Sequence, residues 1–209
     1  VQTCALPICD TKLQAELTNL GQKKIDLGKP PRTGSKQRKE YDTRQILANW
    51  AGVDLTRING LGLAAVKKIL TEIGPDLSRF PTVKHFCSWL GLSPGTKISG
   101  GKVLSSKTKR SVNRVRQVLK MAAMSLSRCD SALGAFYRRL CARMDKPSAN
   151  TAVAHKLARM VYFMLTRGEE FVDQGQQRYE EQQLERNVAA LKRRATTLGF
   201  VVTPVAAGA

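Results

Sequence analysis

Apolar side chains return every three or four residues through most of this chain, and that rhythm limits what it can fold into. A helix turns once per 3.6 residues, so such spacing gathers the apolar set on one face; a half-buried strand requires strict alternation instead. Ala65, Val66, Ile69, Leu70 and Ile73 define one face over 63–73, closed by Gly74-Pro75. Val83, Phe86, Cys87, Trp89 and Leu90 define a second, opened by Pro81-Thr82. Ser111 is placed to cap a third, with Val112, Val115, Val118, Leu119, Ala122 and Leu126 turned inward. Leu133, Phe136, Tyr137, Leu140 and Met144 form a fourth, which Lys146-Pro147 ends. Residues 149–167 carry Val153, Leu157, Met160, Val161, Met164 and Leu165, with Gly168 as the stop. The expected fold is mostly α, with a small β-hairpin or loop and a long C-terminal helix.

Two stretches break the rhythm. Residues 21–40 hold Gly28, Pro30, Pro31 and Gly34 among many Lys and Arg, a composition that builds no core and suits a linker. Short helices are expected on either side, at 12–20 and 43–50. In the second stretch, 93–110, Ile98 and Val103 flank Ser99-Gly100-Gly101-Lys102, which predicts a hairpin turning at the glycines. In the tail, Leu184, Val188, Leu191, Ala195 and Leu198 alternate spacings of four and three. That is a coiled-coil seam of about two heptads, open both to packing on its own domain and to pairing between chains. The first nine residues, VQTCALPIC, have no periodicity and are expected to be non-native read-through, with the natural protein extending further upstream. The organisation that follows is 1–9 read-through, 10–52 helix and basic linker, 53–168 the main folded domain, and 169–209 a C-terminal helix and tail.

The formal net charge is +19, from 35 Lys and Arg against 16 Asp and Glu. Such an excess points to nucleic acid before anionic membrane. No apolar run approaches the roughly 20 residues of a spanning helix, so no membrane partner is expected. The charge is concentrated. From Leu77 to Cys129 there is no Asp or Glu, while Arg79, Lys84, Lys97, Lys102, Lys107, Lys109, Arg110, Arg114, Arg116, Lys120 and Arg128 all fall there. A solvated helix normally mixes both signs; an uncompensated run around a Gly/Ser/Thr loop suits a polyanion. The five cysteines, Cys4, Cys9, Cys87, Cys129 and Cys141, are odd in number and read as unpaired thiols of a reducing interior. With only His85 and His155 present, no metal site is expected.

Within the basic stretch and just before it lie two motifs. In INGLGLAAVKKI, Gly60 and Gly62 precede a helix start, and Lys67 and Lys68 follow, as in the second half of a helix-hairpin-helix. Glycines let a backbone approach phosphate, and the free amides of the helix start point at it. In Lys97-Ile98-Ser99-Gly100-Gly101-Lys102, Gly100 and Gly101 expose Ser99 as a candidate nucleophile, and Lys97 and Lys102 can stabilise charge on an attacked phosphate. Lys107, Lys109, Arg110 and Arg114 extend the same DNA-facing surface. A serine before two glycines is also an ordinary turn residue, and no Ser/His/Asp arrangement is discernible. Metal-assisted phosphoryl transfer needs converging carboxylates, whereas Glu169, Glu170, Asp173, Glu180, Glu181 and Glu185 read as solvated faces.

INGLGLAAVKKILTEIG, FPTVKHFCSWLGLSPGTKISGGKVLSSKTKR and LGAFYRRLCARMDKPSANTAVAHKLARMVYFMLTRG resemble the C-terminal half of the insertion-sequence one-ten family of bacterial and archaeal transposases. The resemblance covers roughly 53–168, and the tail through Pro204 also fits. It implies an enzyme of two parts. One is a resolvase-like domain of the ribonuclease-H type with four acidic metal ligands; the other carries a serine that becomes joined to DNA. It also implies a structured guide RNA, homo-oligomeric action and a cytoplasmic, nucleoid-associated setting. The family's serine falls on Ser99, with Lys97 and Lys102 as electrostatic helpers. The four acids have no counterpart here, so magnesium is expected in the missing domain, no cofactor is expected on this stretch, and the stretch alone is expected to be inactive. Many members have Gly-Asn after the basic run, where this chain has Ser111-Val112-Asn113. Two rival expectations are a non-catalytic helix-hairpin-helix nucleic-acid-binding protein, which would not need the Ser-Gly-Gly-Lys loop, and a truncated, inactive remnant.

Overall fold

The computed structural model describes residues 25–27, 35–74, 76–109, 111–168 and 173–203. The expected helix at 12–20, most of the linker, Cys4, Cys9, Arg110, Glu169 and Glu170 lie outside them. Helices α1 (Ser35–Ala51), α2 (Leu63–Ile73) and α3 (Val83–Trp89) precede strands β1 (Lys97–Ser99) and β2 (Lys102–Ser105). Helices α4 (Arg114–Ser125), α5 (Ala132–Cys141), α6 (Lys146–Arg167) and α7 (Gln176–Thr197) follow, and short 3-10 turns occupy Leu55–Arg57 and Leu126–Arg128. The expected mostly α architecture with one small hairpin is what forms.

Side-chain caps start four of the helices. Thr82 accepts from the His85 amide, Asn113 from Arg116, Ser131 from Gly134 and Asp145 from Ser148. Each satisfies an amide that has no partner within its helix. Two expectations are corrected. Asn113, not Ser111, caps α4, which leaves Val112 outside the helix and 96 % exposed rather than inward. Lys146-Pro147 does not end α5, which closes at Cys141 and leaves Met144 outside it; the pair forms the first turn of α6, where a proline's missing amide is harmless. Gly168 closes α6 in the left-handed conformation, φ +67°.

α6 is the centre of the core. Val153, Ala154, Leu157, Ala158 and Val161 are buried, and the small residues among them let α3, α4 and α5 pack close. Phe86 of α3 is fully buried, its ring 5.3 Å from Phe80 and 5.7 Å from Tyr162. The Tyr162 hydroxyl donates to the Phe80 carbonyl at 2.9 Å. Burying an aromatic of this size contributes about 1.5–3 kcal/mol.

Ordered structure begins earlier than residue 53. α1 runs from Ser35 and buries Leu47 and Ala48 in the common core. It is tied to the following turn by Arg44, whose Nε donates to Asp54 Oδ2 at 3.0 Å and whose Nη2 also bonds that oxygen. Burial alone would raise the Asp54 carboxyl; the bonds from Arg44 and Thr56, with the Arg44 charge, outweigh it and hold the pKa below its ordinary value. Cys87, Cys129 and Cys141 are free thiols, and burial pushes Cys87 up to about 11. Among the described residues no helix is long and apolar enough to cross a membrane.

Candidate nucleic-acid interface

The sequence-predicted residues fall into two places joined by α4. The first is a groove of about 840 Å³ between α2 and α4. Gly60, Ala64 and Lys68 line one side; Arg114, Gln117 and Met121 line the other. Lys67 and Lys68 part company here. They are about 100° apart on the helix, so exposed Lys68 reaches the groove while Lys67 is half-buried elsewhere. Arg114 is exposed, but its Nη1 is paired with Glu72 Oε1 at 3.0 Å across the groove.

The two glycines of the turn also do different things. Gly60 has φ +89°, and a Cβ there would lie 2.9 Å from the Ala122 carbonyl oxygen and 3.1 Å from Leu126 Cγ. It is the point where the turn presses on α4, so its lack of a side chain serves packing. Gly62 is extended, begins α2 without a side-chain cap, and has open space around its missing Cβ. The helix start with amides open to an anion is therefore at Gly62.

The second place is the hairpin. β1 and β2 pair antiparallel, with Ser99 opposite Lys102, and the chain turns at Gly100 and Gly101 with φ +55° and +74°. Positive φ at both central residues is the condition for the type I′ turn, whose twist matches the strands. Lys97, Ser99, Gly100, Gly101 and Lys102 are all exposed, as are Ile98, Val103 and Leu104. Among the described residues no side chain hydrogen-bonds the Ser99 hydroxyl; His85 instead meets Thr82 Oγ1, and His155 is half-buried on α6.

The hairpin's base is held firmly. The Gly95 amide donates to the Lys107 carbonyl at 3.1 Å, and Pro94 pairs with Thr108. Arg116, half-buried on α4, donates to the Lys109 carbonyl at 2.9 Å and to Thr108 Oγ1 at 3.4 Å. The side chains of Lys107 and Lys109 stay exposed. Arg116 is thus a positioning residue. The signal was present in the sequence: residues two apart on a helix point about 200° apart, so Arg114 and Arg116 cannot serve the same face.

A further group of cations went unnoticed in the sequence because it is assembled from α5, α6 and α7. Lys156 Nζ sits 4.2 Å over the Phe136 ring, and burial, then the charges of Arg139, Arg159 and Arg186, lower its pKa. Arg139 Nη1 is buried without a hydrogen-bond partner among the described residues.

No group of three or more His, Cys, Asp or Glu among the described residues is placed to hold a metal. The carboxylates nearby are engaged: Asp54 with Arg44, Glu72 with Arg114, and Asp145 with its own helix cap. Asp173 is not the solvated acid expected. It accepts from Asn59 Nδ2 at 2.6 Å and from the amides of Ala132 and Gly175, tying the segment before α7 to the glycine turn. These residues do not fit a magnesium site.

Fold and surface together define a helical domain that presents a basic, serine-tipped hairpin beside a basic groove. Residues 54–138, which hold both features, match the family model described as Transposase IS116/IS110/IS902 family. It is 32 % identical over 90 residues to a protein of Streptomyces coelicolor named as an uncharacterized 43.6 kDa protein of insertion element IS110. That match covers 43 % of this chain and 22 % of the relative. It is 29 % identical over 133 residues to a probable family 20 transposase of Pseudomonas aeruginosa, covering 59 % of this chain and 39 % of the relative. The matched stretches therefore span well under half the length of either relative.

Proposed function

We propose that this domain grips nucleic-acid phosphates for a transposase and presents Ser99 as the nucleophile of DNA strand exchange. The observation that carries the reading is the placement of Ser99. It ends β1 at the tip of an exposed hairpin, beside two glycines of positive φ and between Lys97 and Lys102, over a base fixed by Arg116. Ser99 Oγ would attack a phosphodiester phosphorus. The new Oγ–P bond replaces the bond to the leaving deoxyribose oxygen, which takes up a proton as the serine hydroxyl gives one up. Lys97 and Lys102 offset the extra negative charge on the phosphoryl oxygens. Lys68, Arg114 and the amides after Gly62 hold flanking phosphates, which position a duplex without reading its bases. Magnesium, the guide RNA, self-association and a cytoplasmic setting belong to this reading of the full-length enzyme; the metal has no home among the carboxylates described here, and no step is assigned to it.

The test is adduct formation. Full-length protein carrying this domain is mixed with its guide RNA, magnesium and labelled DNA, then resolved by denaturing electrophoresis. Ser99→Ala is expected to abolish the covalent adduct and to leave DNA affinity within about twofold, since binding rests on phosphate contacts. Ser93→Ala, Ser105→Ala and Ser106→Ala are expected to retain it. An adduct that survives Ser99→Ala and is lost in a control variant moves the nucleophile. If no variant matters, the hairpin is a phosphate clamp and the domain a non-catalytic binder.

A further inference from the structure

α7 leaves an apolar stripe uncovered. Its first turns dock on α5, with Gln176, Tyr179, Gln182 and Gln183 half-buried and the Tyr179 ring edge-on to Phe136. From Leu184 onward only Ala195 is even half-buried in the helix. Leu184, Val188, Leu191 and Leu198 are 65, 40, 55 and 66 % exposed. Their alternating spacing keeps them within one narrow face, the pattern by which two helices bury a shared seam.

We propose that α7 pairs antiparallel with α7 of a second copy of this chain along this stripe. The charges that flank the seam select both the partner and the direction. Val188 and Ala195 take the a positions, and Leu184, Leu191 and Leu198 the d positions, so Glu185 and Lys192 are the e residues of consecutive heptads. Neither has an ion-pair partner among the described residues, and at seven residues apart they cannot reach each other within the helix. In an antiparallel pair, e residues face e residues. Glu185 of each copy then meets Lys192 of the other, while Val188 layers on Leu191. A parallel pair would set Glu180, a g residue, against Glu185 of the second copy, twice over. The wider pattern leans the same way: Glu180, Glu181 and Glu185 lie in the first half of the helix, with Arg178 and Arg186 among them, and Lys192, Arg193 and Arg194 stand without an acid in the second. Reversal is the arrangement that sets the e-position acid against the e-position base. Reversal also places the two folded bodies, each attached at the first turns of its α7, at opposite ends of the pair. The contact is self-complementary about a two-fold axis and closes at a dimer. A seam of two heptads is short, so the dimer dissociates on dilution.

The inference stands apart from the reading of Ser99, and its test contains no nucleic acid. Sedimentation equilibrium of the 209-residue chain, after nuclease treatment, is expected to show a reversible monomer–dimer equilibrium. Leu191→Glu should leave only monomer with an unchanged helical circular-dichroism signal. Glu185→Lys and Lys192→Glu should each raise the dissociation constant about tenfold, since each replaces two attractive contacts by two repulsive ones. The double variant Glu185→Lys/Lys192→Glu should return it to near the starting value. A chain that stays monomeric at every concentration reached, a dimer indifferent to Leu191→Glu, or a dimer tightened by Glu185→Lys, which is the signature of parallel pairing, each overturns the proposal.

Discussion

Adding a single methyl group at Gly60 and then at Gly62 tests how the glycine turn divides its work. At Gly60 the new Cβ would sit 2.9 Å from the Ala122 carbonyl oxygen and 3.1 and 3.2 Å from Leu126 Cγ and Cδ2. The first neighbour is helical backbone and the second a fully buried leucine, so neither yields cheaply. Crowding of this kind in a packed region costs about 1–3 kcal/mol. The positive φ of +89° adds about 1–2 kcal/mol for a residue with a Cβ. Gly60→Ala is thus expected to lose about 2–5 kcal/mol, or about 5–15 °C in Tm for a domain of this size. Gly62 has φ −76°, ψ 168° and no heavy atom within 4 Å of the new methyl. Gly62→Ala should stay within about 0.5 kcal/mol of the parent, because the N-cap advantage of glycine over alanine, about 0.5–1 kcal/mol, is offset by the about 0.4–1 kcal/mol that alanine gains through a less flexible unfolded chain where the extended backbone accepts it. The assay is thermal and urea unfolding followed at 222 nm. Equal stability of Gly60→Ala and parent would refute the close approach to α4; equal destabilisation of both variants would refute the division between them. Gly62→Val, if folded, then becomes the clean probe of phosphate approach, and it is expected to weaken DNA binding.

Three more outcomes are expected. DNA binding should fall with added salt, log K against log salt having a slope near about −5 if roughly six phosphates are neutralised; a salt-independent isotherm would remove the basic-face reading. Asp54, held below its ordinary pKa, contributes stability that is present above about pH 4 and is lost as pH falls through the folded value. Asp54→Asn should therefore be about 1–3 kcal/mol less stable at neutral pH and show a flatter acid limb in urea titrations; a parallel limb would show the pair to be idle. Arg116→Ala should reduce adduct formation in the full-length assay far more than DNA affinity, because it frees the hairpin base; equal loss of both would make Arg116 a phosphate contact instead.

Periodicity made the helices legible, because Val153, Leu157 and Val161 or Val66, Ile69 and Ile73 report burial through spacing alone. The hairpin was legible for a different reason: Ile98 and Val103 around two glycines leave few turns to choose from. What stayed hidden depends on helix phase and on distant neighbours. Val112 matched the apolar stripe of α4 by spacing, yet the cap falls one residue later and excludes it. α1 carries few apolar residues among many charged ones, so only its contact with the core shows that Leu47 is inside. The packing role of Gly60 comes from Ala122 and Leu126, and the engagement of Asp173 from Asn59, 114 residues away. No local pattern encodes such pairings. The basic run, likewise, marked a surface without separating the arginine that rims the groove from the arginine that fastens the hairpin.

That separation bears on how the two halves of the interface can act together. Arg114 is 82 % exposed and bound to Glu72 by a single surface ion pair, of a kind worth about 1 kcal/mol or less. A phosphate entering the groove can take Arg114 over at little cost. Arg116, less than one turn away, spends its guanidinium on the Lys109 carbonyl and Thr108 and has little to gain by leaving. α4 therefore offers one replaceable and one fixed contact within a single turn. Under the proposed function, a strand drawn into the groove would be registered against the same helix that holds the base of the hairpin carrying Ser99, and Gly60, pressed on Ala122 of that helix, fixes the other wall. On the proposed reading, phosphate grip and serine presentation would share one rigid reference, which is what an in-line attack on a particular phosphorus requires.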